Sequence, residues 1–344
     1  MAHLPLLRFS PEIISLIADC CDLPTLLTLR LVSGDLGEHV ESILDIDRTA
    51  LLDHYVPDSG ALLEHMEATG AIVGGLAALS FVLRDVSIRP AALAIYVGSD
   101  QGEYLEQLLD EDEDLDLEFI AEADHDPLDH FATPAHTTRM VTYRCRSGRF
   151  LKLYTSISIS SLDPIAVSPT TALINWMSTR AFGCGYPALT MNRQAIGTSI
   201  ADQLPGVPAL FTLLASHGFD TRPTPWFWRS YVSAVLAPHW GPWFRPCLRQ
   251  LYICPSQGRY FGDAGSLLNI FDLHGTDHDQ MRARHQLPYG VSLAWRLCFG
   301  GGPCDGCCSS SDPLLPEGVG TVAAVMVSQP IIFRATYISA FSFV

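Results

Sequence analysis

Residues 9–44 read FSPEIISLIADCCDLPTLLTLRLVSGDLGEHVESIL. The stretch divides into three short helices. Ser10 stands where a helix N-cap would, and Pro11 follows at the first helical position, where a missing N–H costs nothing. Ile13, Ile14, Ile17 and Cys21 recur at helical spacing, with Glu12, Ser15 and Asp19 between them. Asp22 and Pro24 end that helix and open a second, whose apolar set is Leu26, Leu27, Leu29 and Leu31. Ser33 caps a third, in which Leu36, Val40 and Leu44 follow at i, i+4 and i+8. Three such helices cannot bury this many leucines among themselves, since a domain of about 40 residues needs a metal, disulfides or a partner. The unburied apolar face is a candidate partner surface. The plainer alternative is a helical layer packed on the rest of the chain.

These residues resemble an F-box, and most closely its fungal members. Phe9-Ser10-Pro11-Glu12-Ile13 stands where the family carries Leu-Pro-x-Glu-Leu. Asp22-Leu23, Leu26 and Leu29-Arg30-Leu31-Val32-Ser33 follow the family's second run. Three positions depart from the pattern: Ser10 replaces a Pro, Leu36 replaces a Trp, and Gly34-Asp35 replaces a basic pair. The resemblance implies a non-catalytic substrate receptor that docks a Skp-type adaptor on a cullin scaffold and presents an unidentified protein for ubiquitination. The adaptor contacts it implies are Phe9, Pro11, Glu12, Ile13, Ile17, Leu26, Leu29, Leu31 and Val32.

The rest of the chain is long enough for a body beside that layer. The expected class is α+β: a small three-helix domain over 1–48, a mixed α/β body over 49–200, and an aromatic- and Cys-containing extension over 201–344 packed on it. Only 17% of the 344 residues are charged, against 48% hydrophobic, which is the balance of a folded protein and not a disordered one. The net charge of −16 disfavours a broad nucleic-acid footprint and an anionic membrane surface. No basic region with an apolar run marks a signal peptide at the N-terminus. Residues 70–83 are too short an apolar run to span a bilayer, and residues 320–344 are broken by Gln329-Pro330 and Arg334. A soluble, intracellular protein of the cytoplasm or nucleus is expected, its ten cysteines mostly reduced.

Along the body, the pattern predicts a helix within Leu51–Met66 that Asp58-Ser59-Gly60 can split. A short strand then leads into Gly74-Gly75, a buried helix over 76–83, a buried strand over 91–97 and a helix over 103–109. Asp100 to Asp129 is rich in acids and has no Lys or Arg; Asp110–Asp114 reads as a solvated loop or a ragged helix end. Residues 140–145 and 150–158 alternate as two strands around a Ser147-Gly148 turn. An amphipathic helix is expected over 170–178, a strand over 186–191, and an irregular aromatic core over 204–246.

Gly74-Gly75 ahead of a helix and an apolar strand resembles the nucleotidyltransferases, and the same segment resembles a group of fungal hypothetical proteins. In the enzymes, two carboxylates on that strand hold divalent metal at the transferring phosphate. Here those places are Ala92 and Ala94, and the strand Leu151-Lys152-Leu153-Tyr154-Thr155 offers no third carboxylate. The resemblance therefore implies a retired enzyme scaffold with no cofactor. Farther on, Cys298, Cys304, Cys307 and Cys308 include half of a zinc knuckle, but their spacing fits no standard module. Reduced thiols are expected there, not a metal. His274, Asp277, His278 and Asp279 read as a polar loop. No phosphate-binding loop, nucleophile elbow or His-Glu-x-x-His occurs.

Overall fold

The computed structural model describes residues 10–123, 136–198, 201, 206–233, 248–255, 257–271, 293–295, 297 and 333–334. The opening stretch folds as α1 (Pro11–Asp19), α2 (Leu23–Arg30) and α3 (Gly34–Leu52). Short polar side chains set two of these starts. The Asp22 carboxylate accepts from Thr25 N–H at 2.9 Å, and the Ser33 hydroxyl accepts from Leu36 N–H at 3.3 Å. Ser10 occupies the N-cap of α1 without its side chain capping a backbone N–H. The third helix runs past Leu44 to Leu52, so the boundary expected at 48/49 falls inside it. The break comes instead at Asp58, whose carboxylate caps α4 (Ser59–Thr69) through Ala61 N–H at 2.9 Å.

The remaining elements are β1 (Ile72–Val73), α5 (Gly75–Leu83), β2 (Ala92–Val97), α6 (Gly102–Glu111), β3 (Leu117–Ala123), β4 (Thr137–Cys145), β5 (Phe150–Ser156), α7 (Asp163–Ala166), β6 (Asn175–Met177), β7 (Ala181–Cys184), α8 (Pro187–Thr190), β8 (Gln194–Ile196), α9 (Val207–Ser216), β9 (Asp220–Arg222), α10 (Arg229–Ser233), β10 (Arg259–Tyr260), β11 (Leu267–Ile270), β12 (Leu293–Trp295) and β13 (Phe333–Arg334). The fold is α+β. Its main sheet has eight strands in the order β11-β7-β6-β1-β2-β5-β4-β3. Within it, β2 and β5 run parallel and the other neighbours are antiparallel.

Strand β2 shows how the core sits. Alternate side chains leave a strand on opposite faces. Leu93, Ile95 and Val97 enter a cluster with Leu26, Val40 and Leu44 of the N-terminal helices, Leu62 and Met66 of α4, and Phe81 of α5. Ala94 and Tyr96 enter a second cluster on the far face with Tyr154, Ile165, Trp176, Tyr186 and Trp295. Both faces are covered, which is why this strand reads as an unbroken apolar run. The N-terminal helices thus share the main core with the body, and two segments packed in one cluster unfold together more readily than apart.

Two expected elements are corrected. Residues 170–178 form a 3-10 turn at Thr171–Leu173 followed by β6, with every residue buried. The polar side chains that mimic a solvated helix face are absorbed internally. Asn175 donates to the Ala172 carbonyl at 2.6 Å, and Thr171 Oγ1 accepts from Ile196 N–H at 2.9 Å. Residues 186–191 hold the short helix α8, because Pro187 sits at its first turn with φ already set for a helix.

Candidate functional site

The N-terminal layer exposes several large apolar side chains at and beside the predicted contacts. On α1, Ala18 is the residue that enters the core, and Ser15 hydrogen-bonds His39 of α3 at 3.0 Å. That orientation turns Ile13, Leu16 and Ile17 outward, at 43%, 66% and 36% exposure. They lie at i, i+3 and i+4 and so form one stripe. After α2, Leu31 and Val32 are 75% and 39% exposed. Glu12 is exposed at the start of α1, where the Ser10 hydroxyl and then its own N–H hold its carboxyl below the usual range.

Leu26 leaves the predicted contact set, because it is fully buried in the main core. Leu29 is half-buried against the same core. Phe9 and the side chain of Pro11 lie outside the described residues. Leu16 joins the set. Its signal in the sequence was its spacing from Ile13, which the choice of Ile14 and Cys21 as the helix's apolar face obscured.

Two arginines fasten this layer to the body. Arg84 closes α5 in the left-handed region at φ 53°, and donates to the carbonyls of Ala18 at 2.5 Å and Cys21 at 2.7 Å. Those carbonyls lie at the end of α1 and just past it, and the Ala18 carbonyl also accepts from Cys21 N–H at 3.0 Å. Arg84 also pairs with Asp47 of α3 at 2.8 Å. Arg30, the last residue of α2, reaches the other edge of the molecule at β11. The stripe on α1 is therefore held on a rigid support.

The positions that resemble nucleotidyltransferases lie on neighbouring elements, with the glycine packed against core side chains. Gly74 N–H donates to the Ala94 carbonyl at 3.0 Å, and β2 lies beside β5 with Ala92 opposite Phe150 and Ala94 opposite Lys152. A Cβ on Gly74 would stand 2.6 Å from the Tyr96 ring and 2.8 Å from Ile165. Tyr96 in turn stacks on Tyr154 with ring centroids 5.0 Å apart. Gly74 is thus small so that an aromatic core can approach, which is the usual alternative to a phosphate cradle. Gly75 adopts φ 62°, a conformation that suits glycine. Among the described residues, no group of three or more His, Cys, Asp or Glu is placed to hold a metal. Cys298, Cys304, Cys307 and Cys308 lie outside the described residues, as do His274, Asp277, His278 and Asp279.

Two buried polar pairs stand elsewhere. Arg259 and Asp263 pair at 2.5 Å at almost complete burial, with the guanidinium also 4.6 Å over the Tyr186 ring. Each of their contacts is internal, so the pair closes the C-terminal part of the second cluster. His136 Nδ1 lies 3.1 Å from Asp163 at the start of α7. Among the described residues, no helix is long and apolar enough to cross a membrane. No family model, curated protein or solved structure matches this chain.

Proposed function

We propose that this chain is a non-catalytic receptor whose N-terminal helices dock a Skp-type adaptor, bringing a protein held by the body to a cullin-based ubiquitin ligase. The observation that carries the reading is the outward stripe Ile13, Leu16 and Ile17, with Leu31 and Val32 exposed after α2. Apolar side chains at this exposure are a liability in isolation and an asset at an interface, where a few buried anchors supply most of the affinity. The F-box resemblance of residues 9–44 names the partner. The body's contribution is position and not chemistry, since it holds the target near a charged enzyme supplied by the complex. Such a role belongs inside the cell, in the cytoplasm or nucleus.

The test is co-purification with a Skp-type adaptor and a cullin. Leu16→Asp and Leu31→Asp should each weaken adaptor binding at least about tenfold, the scale of one interface anchor, while thermal melting stays within about a degree or two of the parent. Adaptor recovered without cullin would place the protein outside a ligase. Absence of adaptor binding at micromolar concentration would remove the reading.

A further inference from the structure

Of the chain's 21 lysine and arginine residues, Lys152 alone is a lysine. At some positions the structure asks for arginine. The Arg30 guanidinium reaches Glu41, Asn269 and two carbonyls at once, and that of Arg259 pairs with Asp263 while bonding the Gly185 carbonyl at 2.8 Å. A compact ammonium does not reproduce so wide and flat a set of donors. Other positions make no such demand. Arg144, Arg146, Arg180 and Arg222 are exposed, and they pair with Glu118, Asp116, Glu67 and Asp220, which are exposed or half-buried. An ion pair in water contributes little with either cation, so lysine would serve there as well. The exposed cations are nevertheless guanidiniums.

Strand β5 holds Lys152 between two neighbours, opposite Ala94 on β2 and opposite Thr142 on β4. Side chains two apart leave a strand on one face, so Lys152 shares the face of Tyr154. Tyr154 is buried in the second cluster with Ala94, Tyr96 and Met140. Lys152 itself is half-buried. It stands neither on a loop nor on a sheet edge, where an amine could swing out to meet a bulky reactant.

We infer that Lys152 is the chain's one lysine acceptor for acyl transfer of the ubiquitin class, and that the sheet withholds it while the chain is folded. In that transfer an amine that has lost its proton to solvent attacks the thioester carbonyl joining ubiquitin to a conjugating enzyme. The C–S bond breaks, a C–N amide bond forms, and the enzyme's thiolate leaves. A guanidinium keeps its proton and does not attack. The consequence for a ligase rests on the docking reading above. A receptor is held as close to the charged enzyme as the protein it presents, so proximity favours both as acceptors. With guanidiniums on its surface and its one ammonium in the sheet, this receptor leaves the presented protein as the acceptor. It is thereby spared the modification it directs.

Acylation of the full chain with N-hydroxysuccinimidyl acetate, read by peptide mass spectrometry, tests the first half. Lys152 should acylate at least about tenfold more slowly in the folded chain than in denaturant, and at least about tenfold more slowly than the amine introduced by Arg180→Lys. A smaller difference overturns it. The second half is tested in the assembled ligase: the full chain with a Skp-type adaptor, a cullin, activating and conjugating enzymes, ubiquitin and ATP. The parent chain should acquire no ubiquitin, and Lys152→Arg should match it. The chain carrying Arg144→Lys, Arg146→Lys, Arg180→Lys and Arg222→Lys together should acquire ubiquitin, with adaptor binding and circular dichroism unchanged. Ubiquitin on the parent, at Lys152 or at any other group, or none on the fourfold variant, overturns the inference. Failure of the parent to bind adaptor counts against docking alone, and the acylation rates then decide whether the sheet withholds Lys152.

Discussion

Arg30 Nη1 lies 2.8 Å from the side-chain oxygen of Asn269, across 239 residues of chain. The same guanidinium donates to the carbonyls of Ile270 at 2.5 Å and Phe271 at 2.9 Å, and pairs with Glu41 at 2.7 Å. Its side chain is 2% exposed. It therefore joins the end of α2 to the sheet-edge strand β11 and satisfies acceptors that water cannot reach.

Arg30→Met keeps the alkyl stem and removes every donor. The buried carbonyls at Ile270 and Phe271 then lose their partner. The expected cost is roughly 3 kcal/mol, the scale for breaking a buried, multiply bonded charge pair. Arg30→Lys should cost less, because it retains charge without the fork. Denaturant unfolding monitored by tryptophan fluorescence measures both. A midpoint unchanged in Arg30→Met would show that α2 does not depend on β11.

Which features were legible follows from where their causes lie. Strand β2 was readable because both of its faces are apolar, and α4 because the Asp58 cap is local. Strand β3 was not. It is an edge strand with mostly exposed residues, and its acids Glu118 and Glu122, which pair with Arg144 and Arg139 on β4, lie in the acid-rich stretch from Asp100 to Asp129. Residues 170–178 misled because their polar side chains fall at helical spacing yet are buried, with Thr171 and the Asn175 amide bonded internally. The exposed stripe on α1 was half legible: the spacing gave a helix, but only packing decides which face turns outward. Arg30 stood in the motif, while its partners on β11 could not be seen from local sequence.

The packing at Gly74 makes a second prediction. An added methyl must displace the Tyr96 ring or Ile165, both side chains inside a filled core. Gly74→Ala should cost about 1–3 kcal/mol, as overpacking does. The same packing sets the Tyr96 ring and Ile165 against Gly74, and Ala92 and Ala94 carry no metal-binding group. Magnesium with a nucleoside triphosphate should leave the melting temperature of the parent chain unchanged. A shift requiring both metal and nucleotide would mean that the aromatic layer opens to admit them.

Asp85 makes the last prediction, through pH. It caps the 3-10 turn Val86–Ile88, accepting from Ser87 N–H at 2.9 Å, and it pairs with Arg193 at 2.6 Å. The Ser87 hydroxyl first, then the Arg193 guanidinium and the Ser87 N–H, hold its carboxyl down at about 2, against an ordinary 3.8. A carboxyl depressed on folding stabilises the folded state once pH exceeds the unfolded value, and loses that contribution as pH falls through the folded value. At 1.36 kcal/mol per unit, Asp85 contributes about 2 kcal/mol at neutral pH, less whatever solvent screens at its partly exposed edge. Asp85→Asn should therefore be less stable than the parent by about that amount at neutral pH, and the gap should close between about pH 4 and pH 2. Denaturant midpoints of the two chains across that range measure it. A gap independent of pH would assign the loss to the turn's geometry and not to the charge, and Ser87→Ala would then reproduce none of the pH dependence.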